Sequence, residues 1–241
     1  MRRTLALLLI ALAPMLAIGQ TKQITQTRPL VFTHVNIIDM TGAKPHLDMT
    51  LIIVGNRIDR IGKTTSVRVP RDAEVVNAAG RYLIPGLWDM HVHLGDEAFD
   101  KNFNLRLFIA NGVTGIRLMD GDPAYHSWHR EAASGTLLAP RMVIASQIIG
   151  IGDLSNIPAA RIREEVRKAK QAGADFIKVH DKLSRESYFA LFDEAKRLGL
   201  PVAGHTPVSI SAEEVSQAGQ KSIEHLTGLA PAESDDAIAA K

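Results

Sequence analysis

The sequence has the composition of a folded globular protein. Its 241 residues are 46% hydrophobic and 22% charged, with a formal net charge of +2, which is enough apolar material for a sizeable core. Lysine and arginine are scattered and form no basic stripe, so we expect no nucleic-acid partner. The chain contains no cysteine, which excludes disulfides, thiolate metal ligands and a cysteine nucleophile.

The first nineteen residues have the pattern of a secretory signal peptide. Two arginines precede an apolar run from Leu5 to Ile18, and Ala17 and Gly19 offer small residues where a signal peptidase cleaves. The alternative is an uncleaved membrane anchor, but the run is shorter than the roughly 18 to 20 residues that span a bilayer. We therefore predict residues 1–19 as a signal peptide and an exported protein, periplasmic or extracellular, without a membrane partner after cleavage.

Residues 20–81 are predicted to form a small, sandwich-like β unit. A run rich in β-branched residues extends from Leu30 to Ile38, and Leu51–Val54 is joined by Gly55 and Asn56 to Arg57–Ile61. Two short apolar runs across a Gly-Asn pair are typical of a β-hairpin. This unit precedes a segment with a different pattern of apolar residues.

From Tyr82 onward, strand-like runs alternate with helical ones, which predicts an α/β fold. Helical periodicity marks the segments around Val166 and Leu191, and Ser211–Glu214 fits a capping box. Repeated strand–helix units imply parallel strands, in a doubly wound sheet or a (β/α)₈ barrel. The six predicted strands are residues 83–93, 113–118, 141–145, 175–180, 201–205 and 221–225. A barrel needs eight strands and typically ~250 residues, so we expect residues 82–241 to be a truncated barrel.

Four histidines and one lysine fall at the predicted C-terminal ends of these strands: His91, His93, Lys178, His205 and His225. Residues two apart in a strand project from one face, so the His-x-His pair can take adjacent positions on one metal. The same alternation turns Lys178 and His180 to the face opposite Ile177 and Val179. Singly, each could be a structural histidine or a snorkelling lysine. Together they lie where barrel enzymes carry their sites, which favours a shared site.

The segment from Tyr82 to Leu94, which contains Pro85-Gly86 and the His-x-His pair, resembles the entry motif of the amidohydrolase superfamily. It is most similar to imidazolonepropionase-like and prolidase-like members. The segment Val54–Gly62 is similar to the hairpin that such proteins carry before the barrel. The resemblance extends over most of the chain from about Leu30.

This resemblance implies a binuclear metal centre, usually with zinc. His91 and His93 would bind one divalent ion and His205 and His225 the other, while Lys178, carboxylated by carbon dioxide, would bridge both. Carboxylation has a physical reason, because a protonated lysine with its ordinary pKa near ~10.4 is a cation and cannot bind a metal ion.

The implied activity is the hydrolysis of a C–N bond in an amide, a dipeptide or a cyclic amide by a metal-activated hydroxide. The family's proton-shuttling aspartate follows the eighth strand, so we expect it beyond residue 241 and identify no catalytic residue within the chain. His180 and Asp120 are the candidates for contacts with a small-molecule or dipeptide substrate.

Two other functions stay open at this point. The chain could be a non-catalytic fragment or binding module, because it lacks the last strands, or it could hydrolyse lactones or phosphotriesters on the same metal site. A homo-oligomer is a further open alternative. We expect a full-length relative to hydrolyse a C–N bond, and the 241-residue chain alone to be inactive or nearly so.

Overall fold

The structure, a computed structural model, describes residues 28–229. The predicted signal peptide therefore lies outside the described residues. The described part begins with a β-sheet and continues with alternating parallel strands and helices. None of its helices combines the length and apolar character needed to cross a membrane.

The first sheet has five strands: β1 (Leu30–Ile37), β2 (His46–Val54), β3 (Arg57–Lys63), β4 (Glu74–Asn77) and β5 (Tyr82–Leu83). Strands β3, β2 and β1 are antiparallel neighbours, and β4 and β5 both pair with β1 in parallel. The predicted hairpin joins β2 to β3, with Gly55 at a φ of 61°, a left-handed conformation that glycine adopts without steric cost. Val35, Leu51 and Ala78 are buried on one side of this sheet.

The sequence-based prediction of a first barrel strand over residues 83–93 was wrong in one respect. Tyr82–Leu83 pairs with β1 in the first sheet, and the barrel begins with β6 (Leu87–Val92). Pro85 separates the two, and since proline has no backbone N–H it cannot continue a hydrogen-bonded strand. The alternation of apolar residues alone does not show this change of sheet.

Five parallel strands and one further bridge form an open arc of a (β/α) barrel. The strands are β6, β7 (Val113–Leu118), β8 (Arg141–Ile144), β9 (Ile177–Val179) and β10 (Val202–Gly204). Strands β6, β7 and β8 are neighbours, a bridge from Ala145 to Phe176 connects β8 to β9, and β9 pairs with β10. The predicted sixth strand is reduced to a bridge between Gly204 and Ile223. The predicted fold, a partial barrel after a small β unit, is confirmed.

The helices lie between these strands: α1 (Glu97–Phe99), α2 (Leu105–Ala110), α3 (Pro123–Ala133), α4 (Ala159–Ala172), α5 (Arg185–Arg197) and α6 (Ala212–Ala218). The predicted capping box starts α6, because the Ser211 hydroxyl accepts from the Glu214 N–H while the Glu214 carboxylate accepts from the Ser211 N–H. Gly173 and Gly219 end α4 and α6 in the left-handed conformation, with φ of 91° and 97°.

The packing of β9 sets the direction of the site residues. Ile177 and Val179 are buried in one cluster with Val166 of α4 and Leu191 of α5. Since neighbouring residues of a strand point to opposite faces, Lys178 lies on the face away from the helices. The apolar layer between the strands and helices thus directs Lys178 into the barrel interior.

Candidate metal centre

The structure brings the five predicted ligands together at the C-terminal ends of the parallel strands. His91 Nε2 lies 3.2 Å from His93 Nε2. The His225 ring centroid is 4.4 Å from that of His91 and 5.3 Å from that of His205. Lys178 is buried among them, close enough that its charge lowers the pKa of both His91 and His205.

The protonation of His91 follows from its partners. Its Nδ1 lies 2.7 Å from Glu224 Oε2, and because a carboxylate only accepts, Nδ1 carries the proton. Burial lowers the pKa of His91, although the hydrogen bond to Glu224 opposes this shift. A neutral His91 therefore has a bare lone pair on Nε2, which faces His93 Nε2 at 3.2 Å. This bare nitrogen can accept a hydrogen bond from a protonated His93 Nε2, and it can equally bind a cation.

The environment of Lys178 disfavours the charged form of its amine. Its side chain is 1% exposed, and among residues 28–229 it forms no ion pair. Burial is the main cause that lowers the pKa of its ammonium, opposed by Glu224 and supported by Arg117. A neutral amine is the form that can add to carbon dioxide, so this position suits the carboxylation implied by the resemblance.

His205 follows β10 directly and depends on a glycine for its position. Gly204 has a φ of 139°, and a Cβ atom there would lie 2.1 Å from the Val179 carbonyl oxygen. Only glycine lets β10 approach β9 this closely. Burial, with the charges of His180 and Lys178, lowers the pKa of His205 to about 4, so its imidazole is neutral at pH 7 and available as a ligand.

His180 and Asp181 lie beside His205. The His180 and His205 ring centroids are 3.9 Å apart, and His180 Nδ1 donates to the Asp181 carboxylate. One ligand atom from each of these three residues lies within 4.8 Å of the others, a spacing that could hold a metal ion. Asp181 was not predicted from the sequence, although its position directly after the inward-facing His180 was a usable signal.

Asp120, the other predicted substrate contact, lies next to His93. Its Oδ2 is 3.5 Å from His93 Nδ1, and burial raises the pKa of the Asp120 carboxyl against the lowering effect of His93. Within the described residues, Asp120 Oδ1 is buried without a hydrogen-bond partner. Buried polar atoms are rarely left unpaired, so this oxygen also points to a missing partner at the centre.

Arg117 and Glu224 belong to the site, although neither was predicted as a site residue from the sequence. Arg117 Nε donates to the Met90 carbonyl over 2.6 Å, and its Nη2 donates to Glu224 Oε1 over 2.6 Å. Burial raises the pKa of Glu224, but hydrogen bonds from Ser222, His91 and Arg117 outweigh burial and bring it to about 2. Glu224 is therefore an anion at the inner edge of the histidine cluster.

The donor set fits divalent metal ions. Its imidazole nitrogens and carboxylate oxygens are ligands that zinc accepts, and Lys178 would offer oxygen ligands only after carboxylation. Two structural observations support this fit: the bare Nε2 of His91, which faces His93, and the Asp120 oxygen that has no partner within residues 28–229.

Comparison with known sequences places this site in a family. Residues 82–241 match the sequence profile described as the Amidohydrolase family. A dihydroorotase of Geotalea daltonii is 25% identical over 199 residues, 79% of this chain and 46% of that protein. A dihydroorotase of Syntrophotalea carbinolica is 37% identical over 73 residues, 29% of this chain and 16% of that protein. The chain thus spans less than half the length of these relatives.

Solved structures show the same fold. A bottromycin amidohydrolase is 25% identical with a TM-score of 0.69, over 84% of this chain and 44% of that one. A Xaa-Pro dipeptidase with methionine in its active site is 22% identical with a TM-score of 0.65, over 81% of this chain and 61% of that one. The profile match covers more than half of the sequence and includes every predicted ligand. The chain therefore belongs to the amidohydrolase family.

Proposed function

We propose that the chain forms the metal-binding part of a hydrolase that cleaves a C–N bond in a small-molecule amide, a dipeptide or a cyclic amide. The convergence of four histidines and a buried lysine at the strand ends carries this proposal. Family membership supports it, and so do relatives named as dihydroorotases, an amidohydrolase and a dipeptidase.

In this proposal His91 and His93 would hold one divalent ion, and His205 and His225 would hold a second. Lys178 would supply an anionic ligand once its neutral Nζ has added to the carbon of carbon dioxide and released one proton, which leaves a carbamate. Zinc suits these ligands. When bound, the ions would lower the pKa of a water molecule and polarise the carbonyl of the substrate.

The chain's own residues prepare the site in three ways. Burial keeps the imidazole of His205 neutral and able to bind a cation, because its pKa is lowered to about 4. The Arg117–Glu224 pair holds negative charge against His91. His180 and Asp120 lie half-buried beside the cluster, and we propose that they contact a substrate.

Metal content and turnover test the proposal together. The chain is loaded with zinc and bicarbonate, and bound zinc is measured by elemental analysis for the wild type, His205→Ala and the control His46→Ala. His46 is an exposed histidine in β2, so its variant should retain the zinc that His205→Ala loses. Equal zinc content in all three proteins would contradict the proposed site.

Turnover is measured on dipeptides, cyclic amides, lactones and phosphotriesters, with the chain and with a version extended to the length of its relatives. We expect the extended protein to hydrolyse C–N bonds and the 241-residue chain to be far slower. General acid–base assistance is worth ~10² to 10⁴ in rate, and the expected shuttle aspartate would supply it. Cleavage of lactones or phosphotriesters only would assign the site to those substrates, and zinc binding without any turnover would favour a binding module.

We also propose that the protein is exported and begins near Gln20 after cleavage. The two arginines, the apolar run and the small residues at positions 17 and 19 support this proposal. N-terminal sequencing of protein recovered from the periplasm or medium is the test. An intact Met1 on that material would refute cleavage.

A further inference from the structure

We propose that Glu224 is a positioning residue for His91, holding its imidazole in the tautomer and orientation that direct the Nε2 lone pair into the metal centre. This inference rests on the proposed function, because orienting His91 serves the site only if His91 binds a metal ion. The hydrogen bond and the tautomer that it invokes can nevertheless be measured without metal.

The contact between Glu224 and His91 joins two ends of the arc. Glu224 Oε2 lies 2.7 Å from His91 Nδ1, although the residues are 133 apart in sequence. Their side chains are 9% and 22% exposed, so the bond is largely shielded from water. Because the acceptor is a carboxylate, the proton lies on Nδ1 and the free nitrogen is Nε2, which faces His93 Nε2 at 3.2 Å.

The other carboxylate oxygen is held in place. Arg117 Nη2 donates to Glu224 Oε1 over 2.6 Å, and the Ser222 hydroxyl donates to the same oxygen. Arg117 is itself fixed, because its Nε donates to the carbonyl of Met90 over 2.6 Å. Met90 directly precedes His91. Arg117 therefore fixes the Glu224 carboxylate relative to the backbone of β6, the strand that carries the His91 ring.

The two carboxylate oxygens of Glu224 have different partners, which distinguishes a positioning residue from a simple ion pair. Pairing with Arg117 uses Oε1, whereas Oε2 is directed to the His91 ring. Partners of this kind orient metal-binding histidines and select their tautomer, and their loss typically lowers metal affinity 10- to 100-fold. A glutamate that only paired with Arg117 would not need a second carboxylate oxygen directed at His91 Nδ1.

Zinc affinity of the full chain is the first test, measured by competition with a chromophoric chelator for Glu224→Gln and Glu224→Leu. Glutamine keeps an oxygen that can accept from Nδ1, so we expect a loss of about 10-fold, and leucine keeps none, so we expect about 100-fold. The matched control is Glu194→Gln, which removes a buried, arginine-paired carboxylate outside the barrel interior. This control should leave zinc affinity unchanged. An equal loss in the control would overturn the proposal.

The second test is the tautomer of His91 in the metal-free chain, read from ¹⁵N chemical shifts and assigned with His91→Gln. We expect the proton on Nδ1 in the wild type and in Glu224→Gln, and a shift toward Nε2–H in Glu224→Leu. If the leucine variant does not fold, the tautomer of His91 in the wild type and the zinc affinity of Glu224→Gln test the proposal. A wild-type proton on Nε2 would refute the positioning role. A wild-type chain with the Nδ1 proton that binds no zinc would instead refute the proposed metal centre alone.

Discussion

At the scale of single residues, Lys178 is the most informative position. It is 1% exposed, yet among residues 28–229 no carboxylate pairs with it. A buried charge without a partner is strongly unfavourable in a protein interior, which agrees with the lowered pKa of this ammonium. Burial of this amine therefore costs stability, which agrees with the role proposed for Lys178 as the precursor of a metal ligand.

Replacement of Lys178 by methionine should therefore separate stability from metal binding. An apolar side chain of similar length removes the cost of burying an amine, so we expect the metal-free chain to melt at the same or a higher temperature. Bound zinc should fall from two ions per chain to one or none, because no carbamate can form. Thermal unfolding with a chelator and elemental analysis measure the two effects.

The titration of Lys178 should make the stability of the wild type, but not that of Lys178→Met, depend on pH. The folded pKa of Lys178 is lowered, so the unfolded state binds more protons between that pKa and the ordinary value near ~10.4. Wild-type stability should rise with pH across this window, and the rise should be absent in Lys178→Met. A methionine variant that melts well below the wild type at neutral pH would show that the amine makes a stabilising contact.

At the scale of secondary-structure elements, Glu194 connects α4 to α5. It lies on α5, 4% exposed, with Arg167 Nη1 of α4 at 3.1 Å and Arg197 Nη2 of its own helix at 2.5 Å. A third arginine, Arg163, approaches to 3.9 Å. These contacts fix how α5 packs on α4, and α5 in turn covers the outer face of β9.

Protonation of Glu194 at low pH should remove the ion pairs that connect α4 to α5. Hydrogen bonding to Arg197 lowers the pKa of Glu194 to about 2, below the ordinary value near ~4.3. A lowered carboxyl pKa contributes stability that is present above the unfolded value and is lost as pH falls toward the folded one. We expect Glu194→Gln to melt below the wild type at pH 7, with a difference that closes between about pH 4.5 and pH 2. Melting curves across that range test this, and a difference that persists at pH 2 would mean that the glutamine disturbs packing rather than charge.

At the scale of the whole molecule, the proposed ligands tie distant parts of the arc together. They come from β6 and the residue that follows it, from β9, from the residue after β10 and from the turn after Ile223. Glu224 and Arg117 already connect this turn to β6 and β7. A metal ion bound by these groups should add a constraint that the unfolded chain cannot satisfy.

Zinc should accordingly raise the melting temperature of the chain. A ligand that binds only the folded state at 100 times its Kd stabilises that state by about 2.7 kcal/mol. We expect a clear upward shift for the wild type and for His46→Ala, and a much smaller one for His205→Ala. Differential scanning calorimetry with and without a chelator measures it. The same shift in His205→Ala would place the stabilising zinc somewhere else on the protein.

Much of the fold and part of the candidate site could be read from local pattern. The repeat of strand and helix, the hairpin at Gly55 and the capping box at Ser211 all depend on residues that are close together in the sequence. The inward direction of Lys178 also follows from local alternation, because Ile177 and Val179 must face the helices. These features were determined by the sequence itself.

Other features were decided only by the tertiary structure. Strict alternation places Glu224 opposite His225, yet both reach the centre, because the extended chain ends at Ile223 and His225 takes a left-handed φ of 57°. Arg117 and Glu224 are 107 residues apart, and Arg117 approaches Glu224 only when the strands curve into an arc. Side-chain direction within a regular strand is a local property of the backbone, whereas contacts across the barrel depend on how the strands assemble.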